Sequence, residues 1–514
     1  MDKPAHIETT VPRLATQLEG SGAPVTTAAP FSGQPIATLA TSTPADFDRV
    51  FARAREQAQR WAATDPRERA EPFLRFHDLV LGNPELIDIV QLETGKSRYS
   101  AFEETVDIAG LSLYYARRSP GFLRPRKRAG AIPLATRTRE LRVPKGVVSV
   151  ISPWNYPLSL GACDVIPALL AGNAVVHKPD TQTALTALFA RELLVAAGLP
   201  RDLWQIVIGA PEEIGTALID HADHVSFTGS TAAGRRIAAR AAERLISCTL
   251  ELGGKNPMLV LEDADLKKAA KGAARACFST AGQLCLSVER IYVAEPVFGT
   301  FVNELVESTR RLRVGPGFDF GYDIGSLVSQ RQLDVVRQHV EEAEKLGAEI
   351  LTGGRPRPDL GPFFHEPTVL SGVSEEMAVF AAETFGPVVS VYPCTDDEEA
   401  VRLANDTEYG LNASLWSKDL PRARRIAEQL RAGTVNINEG YGSAYASNDA
   451  PMGGMKASGQ GRRHGEHGLL EYVELQTVAS QHVIGFDPPS GVSLAQYAKL
   501  LEKTYRAMKR FRLR

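Results

Sequence analysis

The stretch Gly146-Val147-Val148-Ser149-Val150-Ile151-Ser152-Pro153-Trp154-Asn155-Tyr156-Pro157 decides the fold. Its apolar, β-branched half reads as a buried strand, and Pro157 opens an apolar stretch of helical length to about residue 171. Similar apolar runs at 173–178, 204–208, 223–227 and 246–251 alternate with helical stretches at 183–197, 212–219 and 231–242. Strand–helix alternation at this spacing predicts right-handed crossovers and a parallel sheet. Such a Rossmann-like sheet binds nucleotides at the C-terminal ends of its strands. The glycine fingerprint is missing, because Ser152 to Pro157 occupies its place. Later strands end instead in Ile208-Gly209-Ala210-Pro211 and Phe227-Thr228-Gly229-Ser230, where a helix N-terminus can meet an anion. A turn of that kind taken singly is more often only a tight turn.

Outward from this core, a second alternating block from Pro257 to about Asn438 predicts another α/β domain. Residues 8–45, rich in Thr, Ala, Pro and Gly, read as an extended arm with a short hairpin. Helices are expected from Thr43, an N-cap followed by Pro44 and Asp46, to about Arg118. The basic run Arg124-Pro125-Arg126-Lys127-Arg128 reads as a solvated or inter-subunit hairpin in preference to a nucleic-acid patch. After Pro488-Pro489 a helix should place Leu494, Tyr497, Leu501, Tyr505 and Met508 near one face. Lys499, Lys503, Arg506, Lys509, Arg510, Arg512 and Arg514 crowd its other side. Packing on a neighbouring subunit, or fraying, is the first reading of this tail, and a membrane-surface helix the second.

The 514 residues are 44% apolar and 23% charged, with 58 Lys+Arg against 61 Asp+Glu. That length predicts two to four units, and the composition excludes collagen, coiled coil and wholesale disorder. A net charge of −3 leaves no electrostatic footprint for nucleic acid. Five cysteines make no disulfide framework and fit a reducing compartment. The best apolar run, Leu158 to Val176, is broken by Asp164 and Pro167, so no transmembrane span is expected. The start, Met1 to Glu8, lacks the pattern of a signal peptide, and the expectation is a cytoplasmic protein with no metal site.

Two residues invite chemistry. Cys285 lies in Ala281-Gly282-Gln283-Leu284-Cys285-Leu286-Ser287; taken alone, such a cysteine is usually a small buried hydrophobe. Glu251 ends an apolar strand, where it could serve as a base or merely pair with Lys255. Their company changes the odds. Pro153-Trp154-Asn155, His177-Lys178-Pro179, Phe227-Thr228-Gly229-Ser230, Leu250-Glu251-Leu252-Gly253-Gly254-Lys255, Gly282-Gln283-Leu284-Cys285 and Glu383-Thr384-Phe385-Gly386-Pro387-Val388 follow one another along the chain. So do Gly433-Thr434-Val435-Asn436-Ile437-Asn438 and Pro451-Met452-Gly453-Gly454-Met455-Lys456-Ala457-Ser458-Gly459. In this order they resemble the aldehyde dehydrogenase superfamily over about residues 30–480. Within it the chain looks most like bacterial NADP-dependent succinate-semialdehyde dehydrogenases.

The resemblance implies a cofactor domain over 1–123 and 142–253, a catalytic domain over 254–453, oligomerisation segments at 124–141 and 454–480, and a basic extension over 481–514. It makes Cys285 the thiolate nucleophile, with the Asn155 amide and the Cys285 N–H around the oxyanion. Glu251, its pKa raised by partial burial, becomes the base for thioester hydrolysis. Cofactor positions carried over are Trp154, Asn155, Lys178, Pro179, Asp180, Thr181, Gly229, Ser230, Leu252, Glu383 and Phe385. Lys178 and Glu383 would hold the riboses, Ser230 the pyrophosphate, and Phe385 would back the nicotinamide. NAD-preferring relatives often carry glutamate where this chain has Thr181, which favours NADP, while Asp180 pulls toward NAD. Two arginines that hold a substrate carboxylate in many relatives are replaced here by Ser279 and Asp164, and Ser287 removes an adjacent-disulfide switch. The expected activity is oxidation of an aldehyde to its acid, with succinate semialdehyde first and another aliphatic or aromatic aldehyde second. Glu251 speaks against acyl transfer to coenzyme A, and a non-catalytic protein on the same scaffold is the reading from another class. The expected assembly is a homodimer or homotetramer.

Overall fold

Val147, Val148 and Val150 lose all solvent contact, as parallel strands covered on both faces must. In the computed structural model, which describes residues 3–131, 136–482 and 487–510, they belong to a six-stranded sheet. Its order is Gly459–Gln460, Ser247–Glu251, His224–Thr228, Val147–Ile151, Ala174–Lys178, Trp204–Ile206. All neighbours are parallel except the first strand, which enters antiparallel from the far end of the chain. The helices Pro157–Leu170, Ala184–Ala196, Pro211–His221 and Thr231–Glu243 make the crossovers.

A seven-stranded sheet follows, in the order Glu349–Thr352, Thr368–Ser371, Val388–Cys394, Val288–Ala294, Asn256–Val260, Asn412–Trp416, Thr434–Ile437. It is parallel apart from its first strand and packs around a separate apolar cluster that includes Met258, Ile291 and Val389. The fold is thus α/β with two parallel-sheet cores, as the alternation predicts.

A third sheet stands apart: Val473–Gln481 pairs with Thr136–Pro144, which pairs with Arg126–Arg128. The basic run therefore forms an exposed edge strand, and Arg126 and Arg128 meet Glu466 and Glu140. Such a strand presents unpaired backbone groups.

The N-terminal arm needs correcting. It contains the hairpin Val25–Ala28 with Pro35–Leu39, but Ile7–Ala15 is a helix, so helices begin well before Thr43. Ile7, Val11 and Leu14 are buried at helical spacing. The β-branched Thr9, Thr10 and Val11 and the internal Pro12 mask that period in sequence. Thr43 does cap the next helical segment, its N–H donating to Asp46 at 2.9 Å. In the tail helix Leu494–Arg510, only Tyr497 and Met508 of the apolar face are buried, while Leu494 and Tyr505 stay exposed. Arg512 and Arg514 lie outside the described residues, as do Met1 and Asp2. No helix among the described residues is long and apolar enough to cross a membrane, and none of their His, Cys, Asp or Glu cluster as metal ligands.

Candidate active site

Cys285 sits where two cavities meet. One, of about 620 Å³, is walled by Tyr99, Phe102, Tyr156, Tyr441, Tyr445 and Met452 and also by Glu251 and Arg463. The other, of about 530 Å³, is lined by Trp154, Asn155, Gly229, Ser230, Leu252, Glu383 and Phe385. Cys285 and Leu160 line both. The first has the shape of a tunnel for an apolar-bodied substrate, and the second that of a cleft at the C-terminal ends of the six-stranded sheet.

The nucleophile loop is built to hold one shape. Thr280 and Ala281 carry φ of 52° and 54° and Gly282 follows at 71°. A Cβ on Gly282 would stand 2.0 Å from the Gly386 carbonyl oxygen, so only glycine fits. Left-handed conformations at the two non-glycine residues store strain of the kind found at functional sites. Asn256 Nδ2 donates to the Cys285 and Ser287 carbonyls at 2.7 and 2.8 Å. The Gln283 side chain donates to Thr280 O and accepts from Val328 N–H. Asn155 Nδ2 donates to Gln283 O at 2.9 Å, which aims its amide at the same loop.

The electrostatics are those of a closed, low-dielectric pocket. Burial, with help from the Glu251 and Glu383 carboxylates, pushes the Cys285 thiol up to about 12. To react as a thiolate, Cys285 must shed its proton against that shift. Glu251 is 3% exposed, and burial raises it to about 7 against the pull of Arg463. Its Oε1 has no hydrogen-bond partner. Lys255 is not its partner, since that ammonium pairs with buried Glu289. The structural reading of Glu251 as one half of an ion pair with Lys255 fails on this point.

Glu289 in turn accepts from the Thr384 and Phe385 N–H groups, fixing a turn in which Phe385 adopts φ 50°. Phe385 meets Trp154 edge to face at 5.6 Å. Glu383 accepts from Gly254 N–H at 2.8 Å and is raised to about 8, by burial first and Glu289 second. Ser230 caps the helix Thr231–Glu243 through Ala233 N–H. Lys178, Pro179, Asp180 and Thr181 lie beyond the cleft proper, where the strand Ala174–Lys178 ends. Burial lowers the Lys178 pKa, with Asp180 and Glu212 opposing. The Asp180 carboxylate is turned to its own loop and accepts from Gln182 N–H at 2.9 Å.

Sequence reasoning missed two supports. Lys96 and Glu104, both fully buried, pair at 2.5 Å. Lys96 also donates to the Asn155 carbonyl at 2.6 Å, and Glu104 accepts from Leu158 and Ser159 N–H. The pair thereby holds the loop that carries Asn155. The second support is Arg463, which grips buried Asp164 through Nε at 2.9 Å and Nη2 at 2.5 Å. Nothing local in sequence links partners so far apart.

The cleft fits a dinucleotide: an aromatic pair, a helix N-terminus beside Ser230 and a lysine at the strand end offer one contact each for ring, phosphate and ribose. The family model for the aldehyde dehydrogenase family matches residues 18–478. A Mycobacterium ulcerans protein named "Putative succinate-semialdehyde dehydrogenase", with NADP(+) in its name, is 51% identical over 472 residues, 92% of this chain and 91% of that one. A solved E. coli NADP-dependent enzyme superposes with a TM-score of 0.87 at 31% identity, covering 90% of this chain and 96% of that one. Staphylococcus aureus betaine aldehyde dehydrogenase in complex with NAD+ gives 0.87 at 30% identity, covering 95% and 100%.

Proposed function

This chain belongs to the aldehyde dehydrogenase family, and from that premise we propose that it oxidises succinate semialdehyde to succinate with NADP. The observation that carries the reading is the placing of Cys285 at the junction of tunnel and cleft, with Glu251 in the tunnel wall and Asn155 in the cleft wall.

Cys285 Sγ, its proton released to solvent, adds to the aldehyde carbon, and the carbonyl π pair moves to oxygen. The second Asn155 amide N–H and the Cys285 backbone N–H donate to that oxyanion. Trp154, Gly229, Ser230, Leu252, Glu383 and Phe385 would hold the dinucleotide in the cleft, with Lys178, Pro179, Asp180 and Thr181 at its adenosine end. When bound, the dinucleotide supplies the acceptor for the hydride that leaves the carbon, and a thioester remains on Cys285. Glu251 then removes a proton from water, the hydroxide adds to the thioester carbon, and the C–S bond breaks to return the sulfur. A base raised to about 7 suits that proton transfer near neutral pH.

The substrate and cofactor follow the named relatives. The aromatic tunnel wall favours a second reading, oxidation of a larger or aromatic aldehyde. The sheet that ends at Arg126–Arg128 exposes Val143, Leu475 and Val478, which supports a homodimer or homotetramer joined through it. A kcat/KM panel of aldehydes with NADP and NAD tests this function. Succinate semialdehyde with NADP should lead, and an aromatic aldehyde ahead of it would transfer the assignment to the second reading.

A further inference from the structure

The tunnel contains two cations. Arg463 is committed to Asp164, and its Nη2 also donates to Thr228. Arg275 is committed only in part. Its side chain is 49% exposed, donates Nη2 to Glu103 at 2.7 Å and lies 5.9 Å over the Tyr441 ring. A guanidinium has five N–H donors in a planar fork, so one such bond leaves an edge open. Arg275 closes the helix Leu266–Phe278 and lines both the tunnel of Cys285 and a basin of about 790 Å³ outside it. Beside it in the tunnel wall, buried Tyr441 Oη makes no close hydrogen bond, while the neighbouring Ser279 hydroxyl lines the basin and donates to the Arg275 carbonyl at 2.8 Å.

Lys267 and Lys271 line the same basin, about two turns and one turn before Arg275 on one helix face. Neither forms an ion pair among the described residues, whereas Lys268, off that face, pairs with Asp265. The outer tunnel thus combines an open guanidinium edge and a buried phenol with two unpaired lysines leading in, across a basin that Glu304, Glu307 and Asp323 also line. Glu103 opposes this field, though burial pushes its carboxyl upward. Asp107 deeper in the wall accepts from Tyr445 Oη at 2.8 Å and is raised to about 6. Glu439 adds a further negative group.

We propose that Arg275, with the Tyr441 hydroxyl, forms a carboxylate-binding subsite at the outer end of the tunnel. It selects aldehydes that carry an anionic group at the end remote from the carbonyl, and Lys267 and Lys271 draw them into the basin. This subsite takes the place of the arginines that relatives carry where this chain has Ser279 and Asp164. It rests on the aldehyde-oxidising function proposed above.

The test compares kcat/KM for succinate semialdehyde with that for butanal, a neutral aldehyde of equal chain length. Wild type, Arg275→Met, Arg275→Lys and the double variant Lys267→Met/Lys271→Met are measured at low and high salt. Arg275→Met should lower the succinate-semialdehyde-to-butanal ratio roughly 10- to 100-fold, the scale of a hydrogen bond to a charged group. Arg275→Lys should recover part of that loss, and the double-lysine variant should flatten the salt dependence for the anionic aldehyde alone. Succinate should also inhibit butanal oxidation competitively in wild type and much more weakly in Arg275→Met. An unchanged ratio in Arg275→Met, with wild type still preferring succinate semialdehyde, removes the subsite and leaves the proposed function standing. A wild type that takes butanal equally well overturns both the subsite and the substrate assignment.

Discussion

At the residue scale, the chemistry divides between two side chains whose pKa values burial raises together, the Cys285 thiol and the Glu251 carboxyl. Cys285→Ala should abolish oxidation and leave dinucleotide affinity nearly intact in a binding titration, because the sulfur forms the covalent bond and holds no part of the cofactor. Retention of more than about a hundredth of wild-type turnover would reassign the nucleophile. Thr181 gives a second expectation. Glutamate there would stand beside a 2′-phosphate, and two like charges about 4 Å apart at an effective dielectric near 20 repel by ~4 kcal/mol before relaxation. With solvent leaving ~1–3 kcal/mol, the NADP-to-NAD ratio of kcat/KM should fall about 10-fold or more in Thr181→Glu. An unchanged ratio removes Thr181 from cofactor selection. Sequence motifs point to Cys285, Glu251 and Asn155, but the upward push on the Cys285 thiol is not legible there, because it arises from burial and from carboxylates on other segments.

At the scale of elements, the parallel strands were legible because burial on both faces leaves unbroken apolar runs such as Val147–Ile151. The helix Ile7–Ala15 was not, since three successive β-branched residues and a proline carry no helical preference and tertiary packing alone selects it. The Lys96–Glu104 pair was equally hidden, because its meaning lies in the Asn155 carbonyl that it reaches across the fold. A buried pair of this kind is weak evidence for stability, and breaking one partner is costly. Lys96→Met should therefore lower thermal stability and depress kcat more than it raises KM, through a displaced Asn155 amide. A stable variant with unchanged kcat would mean that the loop holds its shape without the lysine. The edge sheet carries its own expectation. Leu475→Lys, at a position 61% exposed in the single chain, should shift sedimentation toward smaller species, and an unchanged distribution would place the interface elsewhere.

At the scale of the whole molecule, two parallel-sheet cores face one cysteine, one offering a dinucleotide cleft and the other a loop strained into place. A base raised to about 7 by burial imposes a direction on the pH profile. Glu251 must be ionised to activate water, so deacylation should rise with pH through about 7 and fall below it. In Glu251→Gln that limb should vanish, and the thioester should form and persist. The most direct measurement is therefore stopped-flow absorbance of Glu251→Gln with saturating NADP and succinate semialdehyde, followed by acid quench and peptide mass analysis. The account predicts a burst of reduced cofactor approaching one equivalent per active site, little steady-state turnover, and an acyl group on the peptide bearing Cys285. Absence of both burst and adduct, or an acyl group on any other residue, would contradict it.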